Sequence, residues 1–280
     1  MGFVKFLFIV DLLALIFVVL YLLSMMAKRR PPEGFPGSLS RFHYAHRGLH
    51  AIAAGIPENS VRAFRLAANN GYGAELDVHL SHDGRLVIMH DESLKRTTGA
   101  NADICTVTSQ VINQLTLEGT KEKVPYLEDV LPLFAGKTPL LIEIKTCKDN
   151  YEELTRKVVE LLRQYPDVEF FMESFDPRVL RWLKKNCPDI IRGQLACNFF
   201  KEPKDLNWFQ QFFLTNLMAN FLTKPDFIAY KYEDRDCLAP CLCKKLWGPQ
   251  MYYWVVGSQE QADELTEKGD GIIFEGFAAK

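Results

Sequence analysis

With 280 residues and a formal net charge of −2, the chain has room for one α/β barrel of about 250 residues, and it has no global attraction for nucleic acid. Hydrophobic residues at 48% and charged residues at 24% give an ordinary globular balance, so any bound anion must be met by local cations. The seven cysteines follow no framework spacing, which points to reduced thiols; Cys237, Cys241 and Cys243 cluster but lack the paired spacing and nearby histidine of a zinc site.

The first element is a helix. Phe6 to Met26 carries only one charge, Asp11, and is long enough to cross a hydrocarbon core of about 30 Å. A cleaved signal peptide would have a shorter apolar core, about 7–15 residues, and a small-residue cleavage site. Lys28-Arg29-Arg30 follow directly, so the positive-inside rule puts the rest of the chain in the cytoplasm. The expected organisation is a single-pass transmembrane anchor over 1–27, a basic and Pro/Gly linker over 28–40, and a catalytic body over 41–280. The run Pro31–Ser38 is expected to detach the anchor from that body.

Beyond the linker, strands are predicted at Phe42–His46, Gly73–Val78, Leu86–His90, Pro139–Lys145, Val168–Ser174, Ile191–Ala196, Phe227–Tyr230, Tyr252–Val256 and Gly271–Phe274. Helices are predicted at Ser60–Asn70, Leu127–Phe134, Tyr151–Gln164, Pro177–Asn186, Leu206–Leu222 and Gln259–Lys268. Such alternation implies parallel strands with helical crossovers. Between Leu80 and Leu86 the segment is too short for a crossover, so an antiparallel hairpin turning at Asp83-Gly84 is expected. Setting that return arm aside leaves eight parallel strands, the count of a closed (β/α)8 TIM barrel with its site at the C-terminal strand ends.

Four polar clusters fall at those ends. Glu75 and Asp77 are two apart on one strand and share a face, where they repel unless a cation lies between them. Glu143 repeats the pattern, with Lys145 on its face. Three carboxylates without cysteine suit a hard divalent cation, Mg²⁺ or Ca²⁺. The plainer reading is salt bridging to Lys145 or Arg47. His46 and His90 are the candidate proton carriers, because phosphodiester cleavage needs a base on the nucleophile and an acid on the leaving alkoxide. Arg47 and Lys145 are the candidate phosphate-binding cations. Glu58 and Asn59 sit where helix capping already explains the sequence, and Trp254 is either core or a stacking surface; all three are second-rank site candidates. His79 shares the Glu75/Asp77 face and is held in reserve, and Asp91 is given no chemical role. The apolar run Leu206–Leu222 is read as an outer barrel helix or as a greasy lip for a membrane or lipid chain.

Ala45-His46-Arg47-Gly48, Pro57-Glu58-Asn59-Ser60, Glu75-Leu76-Asp77-Val78, Asp83-Gly84, His90-Asp91 and Glu143-Ile144-Lys145 together resemble the glycerophosphodiester phosphodiesterase family, over nearly all of Phe42–Lys280. The resemblance implies a phospholipase-C-like TIM barrel, His46 and His90 as the acid/base pair, Glu75, Asp77 and Glu143 as metal ligands, and Arg47 and Lys145 on the phosphate. Where such enzymes often show Thr-Val-Asn after the late tryptophan, this chain has Val255-Val256-Gly257, and a frequent terminal Thr-Asp is replaced by Phe274-Glu275. The expected activity is metal-dependent hydrolysis of glycerophosphodiesters to glycerol 3-phosphate and an alcohol, with water attack and a cyclic phosphate intermediate both open. The alternatives are a lysophospholipase D acting on membrane lysophospholipids, and a catalytically inactive membrane-tethered barrel that binds lipid or phosphate.

Overall fold

In the computed structural model, which describes residues 2–27, 37–203 and 206–280, all nine apolar runs become strands. They are β1 Tyr44–Ala45, β2 Gly73–Leu80, β3 Leu86–Ile88, β4 Leu140–Ile144, β5 Phe170–Ser174, β6 Arg192–Ala196, β7 Phe227–Lys231, β8 Gln250–Val256 and β9 Gly271–Phe274. Eight of them are parallel neighbours, and β1 pairs with both β2 and β9, which closes the barrel. β3 lies outside the ring, antiparallel to β2, with Val78 opposite Ile88 and Leu80 opposite Leu86. Gly84 turns this hairpin at a φ of 82°, a conformation open to glycine.

Strand alternation sorts the side chains into two packed regions. On β2 the odd-numbered row Glu75, Asp77 and His79 faces inward, while Ala74, Leu76, Val78 and Leu80 join the layer between strands and helices. The inner rows begin with apolar residues: Tyr44, Leu141, Phe171, Phe227 and Tyr252 fill the lower barrel. Their rings meet mostly edge to face, Tyr44 with Phe171 and Phe171 with Phe227 each at 5.0 Å between centroids. Gly193 and Gly271 make room for this plug, since a Cβ there would lie 2.0 Å from the Phe227 ring and 2.2 Å from that of Tyr252. One pleat repeat beyond Leu141 and Phe171, the same rows carry Glu143 and Glu173. The barrel is thus dry and aromatic at the bottom and charged at its C-terminal rim.

The principal helices are α1 Gly2–Ser24, α2 Val61–Asn69, α3 Leu127–Phe134, α4 Tyr151–Leu162, α5 Pro177–Asn186, α6 Trp208–Thr215, α7 Asn220–Thr223, α8 Leu238–Trp247 and α9 Gln259–Glu267. The Ser60 hydroxyl caps α2 by accepting the Ala63 N–H, and Asp176 caps α5 ahead of Pro177. The single helix expected over Leu206–Leu222 is broken. Leu217 turns into the left-handed region at φ 54° and separates α6 from α7. α8 was not anticipated, because Pro240 and three nearby cysteines blur its periodicity.

Residues 3–20 of α1 are exposed on every side and apolar all round apart from Lys5 and Asp11. Its last turn is clamped to the barrel. The Tyr21 hydroxyl donates to Asn216 Oδ1 at 2.6 Å, Trp247 Nε1 to the Leu22 carbonyl at 3.2 Å, and Asn220 Nδ2 to the Met25 carbonyl at 3.2 Å. Met25 is fully buried. The end of α1 thus meets residues of α6, α7 and α8 directly. The basic run 28–30 and the linker as far as Pro36 lie outside the described residues.

Cys105 and Cys147 are brought together as a pair with Cα atoms 6.8 Å apart, while Cys187, Cys197, Cys237, Cys241 and Cys243 are free.

Candidate active site

β2 aims Glu75 and Asp77 at the rim, and β4 adds Glu143 through the register that sets Asp77 opposite it. One oxygen from each of the three lies within 4.8 Å of the others, and all three residues are buried. Burial, reinforced by Asp77 and Glu143, pushes the Glu75 carboxyl well above its ordinary range. Burial also opposes ionisation of Asp77, but Lys145, His90 and Arg47 outweigh it and hold that carboxyl below the usual range. Asp77 Oδ1 receives no hydrogen bond; its close neighbour is Lys145 Nζ at 3.2 Å. Lys145 Nζ also lies 2.8 Å from Glu143 Oε2, and these two carboxylates raise its pKa against the opposing effect of burial. The salt-bridge reading and the cation reading are both present in one cluster. Three carboxylates with their oxygens converging and no sulfur among them fit one hard divalent cation beside Lys145. Glu173, opposite Glu143 on β5, adds a fourth buried carboxylate, with Oε2 free of hydrogen bonds and a pKa pushed well up by burial, Glu143 and Glu75.

The loop after β1 brings in the first histidine and arginine. His46 Nδ1 lies 2.5 Å from Glu275 Oε2 at the end of β9, which leaves Nε2 as the other ring nitrogen. Burial lowers the His46 pKa, and the Glu275 bond opposes this. Arg47, at φ 54°, turns so that its backbone N–H donates to Glu75 Oε2 at 2.9 Å. Its guanidinium bonds Glu58 at 3.0 Å and stands 3.9 Å from Asp77. Asn59 Nδ2 donates to Asp77 Oδ2 at 2.8 Å, so Glu58 and Asn59, held back as capping residues, both touch the site, while Ser60 does the capping.

His90 comes from the return arm of the hairpin. The Met89 N–H donates to the Asp77 carbonyl at 3.1 Å, and His79 Nε2 lies 3.3 Å from the His90 carbonyl, fixing the backbone on both sides. His90 Nδ1 lies 2.6 Å from Asp91 Oδ1. Burial, helped by Lys145 and Arg47 and opposed by Asp77, lowers the His90 pKa to about 4, so the ring is neutral at physiological pH. Arg96 then bridges outward, holding Asp91 at 2.5 Å and Glu58 at 2.6 Å.

His46, Arg47, Glu75, His90, Glu143 and Lys145 share one cavity of about 260 Å³, with Glu173, Phe175 and Trp254 also on its wall. Trp254 meets Phe175 edge-on at 5.7 Å and donates its indole N–H to the Ala229 carbonyl. His90, Glu143 and Lys145 also border a second, larger cavity of about 770 Å³ that runs out beneath α6. Arg96, Glu173 and the partner role of Glu275 have no counterpart among the sequence candidates, and Asp91, given no chemical role there, lies against His90 Nδ1. Glu173 carried a readable signal, a lone carboxylate inside the apolar run Phe170–Ser174.

The profile of the glycerophosphoryl diester phosphodiesterase family matches residues 46–230. The chain belongs to that family. A glycerophosphodiester phosphodiesterase of Caldanaerobacter subterraneus is 30% identical over 82% of this chain and 91% of its own length. The lysophospholipase D of Rattus norvegicus is 36% identical, over 45% of this chain and 42% of its own. Among solved structures, an Oleispira antarctica phosphodiesterase in complex with its product sn-glycerol-3-phosphate superposes with a TM-score of 0.68 at 25% identity, over 84% of this chain and 92% of that one. This family member therefore has the TIM-barrel fold that the strand pattern predicts.

Proposed function

We propose that the chain hydrolyses glycerophosphodiesters to glycerol 3-phosphate and an alcohol, as a metal-dependent phosphodiesterase. The observation that carries this reading is the convergence of Glu75, Glu143, two cations and two histidines on one cavity, with Asp77 buried beside the two carboxylates. The relative solved with sn-glycerol-3-phosphate supports the product.

Glu75, Asp77 and Glu143 would hold the divalent cation, Mg²⁺ or Ca²⁺, with Glu173 close behind. Bound there, it would polarise a phosphoryl oxygen and offset the charge that develops on the phosphate. Arg47 and Lys145 grip the remaining phosphoryl oxygens; each is already fixed by a carboxylate, so little reorganisation is needed as substrate arrives. His90, neutral and oriented through Nδ1 by Asp91, accepts the proton of the attacking oxygen. His46, whose imidazolium Glu275 stabilises, returns a proton to the leaving alkoxide.

A lysophospholipase D activity is the second reading. The specific observation in its favour is the larger cavity, whose wall of Phe199, Leu206, Phe213 and Leu214 begins beside Lys145 and offers an apolar path for one acyl chain. We place the barrel at a membrane through α1 as a single-pass anchor, supported by the burial of Met25 and Ala27, which a cleaved leader would expose. A cytoplasmic barrel follows from Lys28-Arg29-Arg30. In that compartment the Cys105–Cys147 pair is kept as two thiols, whereas on the outer side it would oxidise to a bridge, so trapping its state in intact cells reads the topology.

The decisive experiment is a panel of glycerophosphocholine, glycerophosphoethanolamine and lysophosphatidylcholine, assayed for glycerol 3-phosphate, cyclic phosphate and lysophosphatidate with and without chelator. Full activity under chelation would sink the metal assignment, and turnover of none of the three would sink the hydrolase reading.

A further inference from the structure

The anchor meets the aromatic helix at one place. α1 has 23 residues, about 35 Å at 1.5 Å per residue, against a hydrocarbon core of about 30 Å. With α1 spanning, Tyr21 stands within one turn of the headgroup boundary, the depth that tyrosines favour. Its hydroxyl donates to Asn216, the residue that ends α6, and the Met25 carbonyl accepts from Asn220, the residue that begins α7. Both helices are thereby pinned at the level where the bilayer ends.

What they present there is apolar. Trp208 and Phe209 on the first turn of α6 are 67% and 66% exposed, and Phe221 and Leu222 on α7 are also open. Trp208 stacks on Phe212 at 5.6 Å and lies 6.3 Å from Phe200, so the aromatic surface is continuous. Lys184 bonds the Leu222 carbonyl at 2.7 Å and Lys224 the Met26 carbonyl at 3.5 Å, which sets two ammonium groups beside this surface where acidic headgroups would meet them. Behind it, Phe213 and Leu214 of α6 line the larger cavity, which reaches His90, Glu143 and Lys145.

We propose that the exposed face of α6 and α7 lies in the headgroup–acyl boundary of the bilayer that α1 spans, and that the cavity behind α6 takes single-chain lipid directly from that layer. The lip turns the anchor from a tether into an orienting device: the barrel is held with one cavity mouth on the membrane. The substrate half of this proposal rests on the hydrolase reading above; the docking half rests on the anchor alone.

The test uses the full chain reconstituted in vesicles of phosphatidylcholine and phosphatidylglycerol. The emission of Trp208, taken as the difference between wild type and W208F, is expected to be quenched by acyl-brominated lipid and shielded from aqueous iodide. Quenching by iodide without quenching by brominated lipid overturns the docking, and this readout needs no turnover, so it stands apart from any failure of the hydrolase reading. In a second arm, W208S/F221S/L222S, which changes no cavity-lining residue, is assayed on vesicle-borne lysophosphatidylcholine and on soluble glycerophosphocholine. The first rate is expected to fall by about tenfold or more, from the apolar area withdrawn, with the second unchanged. Equal losses on both substrates, or no loss on the vesicle-borne one, overturn the lipid path.

Discussion

His46 Nδ1 lies 2.5 Å from Oε2 of Glu275, a residue 229 positions further along the chain. The contact joins the end of the first barrel strand to the end of the last, across the seam where β1 and β9 pair. A histidine held this way keeps one tautomer and gains a counter-ion for its protonated form. His50 stands 3.6 Å from the other Glu275 oxygen, so a ring faces the carboxylate on each side, and the His46 bond with the nearby His50 ring holds its pKa below the ordinary range. Glu275→Gln is therefore expected to lower kcat by about 10- to 100-fold with little change in KM. Steady-state kinetics on glycerophosphocholine checks it; a variant with wild-type kcat would show that His46 needs no such partner.

Lys145 carries the second prediction. Its ammonium spans Asp77 and Glu143 within the cluster that would hold the cation. Lys145→Met removes the ammonium that spans Asp77 and Glu143 and leaves the two buried carboxylates to repel each other, a loss of about 3–5 kcal/mol in metal-free protein. A divalent cation at the same carboxylates replaces the missing charge. Thermal melts in chelator and in excess Mg²⁺ or Ca²⁺ are expected to show a large drop in Tm only in chelator, with activity low in both. An equal drop under both conditions would separate the cation from these carboxylates.

Glu75 makes metal binding pH-dependent. Burial, Asp77 and Glu143 push its carboxyl well above the ordinary range, so the metal-free protein holds a proton there that the unfolded chain would release at lower pH. A bound cation needs the ionised form, so binding expels that proton, and affinity weakens as pH falls through the raised pKa. Calorimetry of metal binding in two buffers of different ionisation enthalpy is expected to report proton release, with affinity dropping up to about tenfold per pH unit on the acid side. Affinity independent of pH would remove Glu75 from the ligand set.

Much of this was legible because strand ends and hydrophobic alternation are local properties. The hairpin at Asp83-Gly84 has its pairing centre fixed by the shortness of the segment between Leu80 and Leu86, and it delivers His90 to Asp77 as expected. Glu75, Asp77, Glu143 and Lys145 stood out as charges in runs that burial would otherwise keep apolar. The partners were harder to read. Glu275 meets His46 only because the barrel closes, and Arg96 reaches Glu58 only because the loop after β3 folds back over the rim. The break at Leu217 lies beside Asn216, whose side chain accepts from the Tyr21 hydroxyl, a contact 195 residues apart in the chain. None of these follows from spacing along the chain.

Arg96 supplies the last prediction. Its guanidinium holds Asp91, which orients His90, and Glu58, which holds Arg47 at 3.0 Å. One planar fork thus ties the proton carrier to the phosphate grip, a geometry that a lysine cannot reproduce. Arg96 bears on no reacting atom, so its part is positioning. Its bonds help hold the Asp91 carboxyl down at about 2 against the effect of burial, and they divide that carboxylate between Arg96 and His90. In Arg96→Met the Asp91 charge turns wholly to His90, which favours the protonated ring and raises its pKa. A base that stays protonated to higher pH moves the acidic limb of kcat/KM upward, and loss of the tie to Glu58 loosens Arg47 and raises KM. The expected result is an acidic limb of kcat/KM displaced to higher pH, so that the loss grows as pH falls below neutral, on top of a pH-independent loss from the looser Arg47, with Arg96→Lys recovering only part of it. A loss of equal size at every pH would make Arg96 a structural strut without influence on His90.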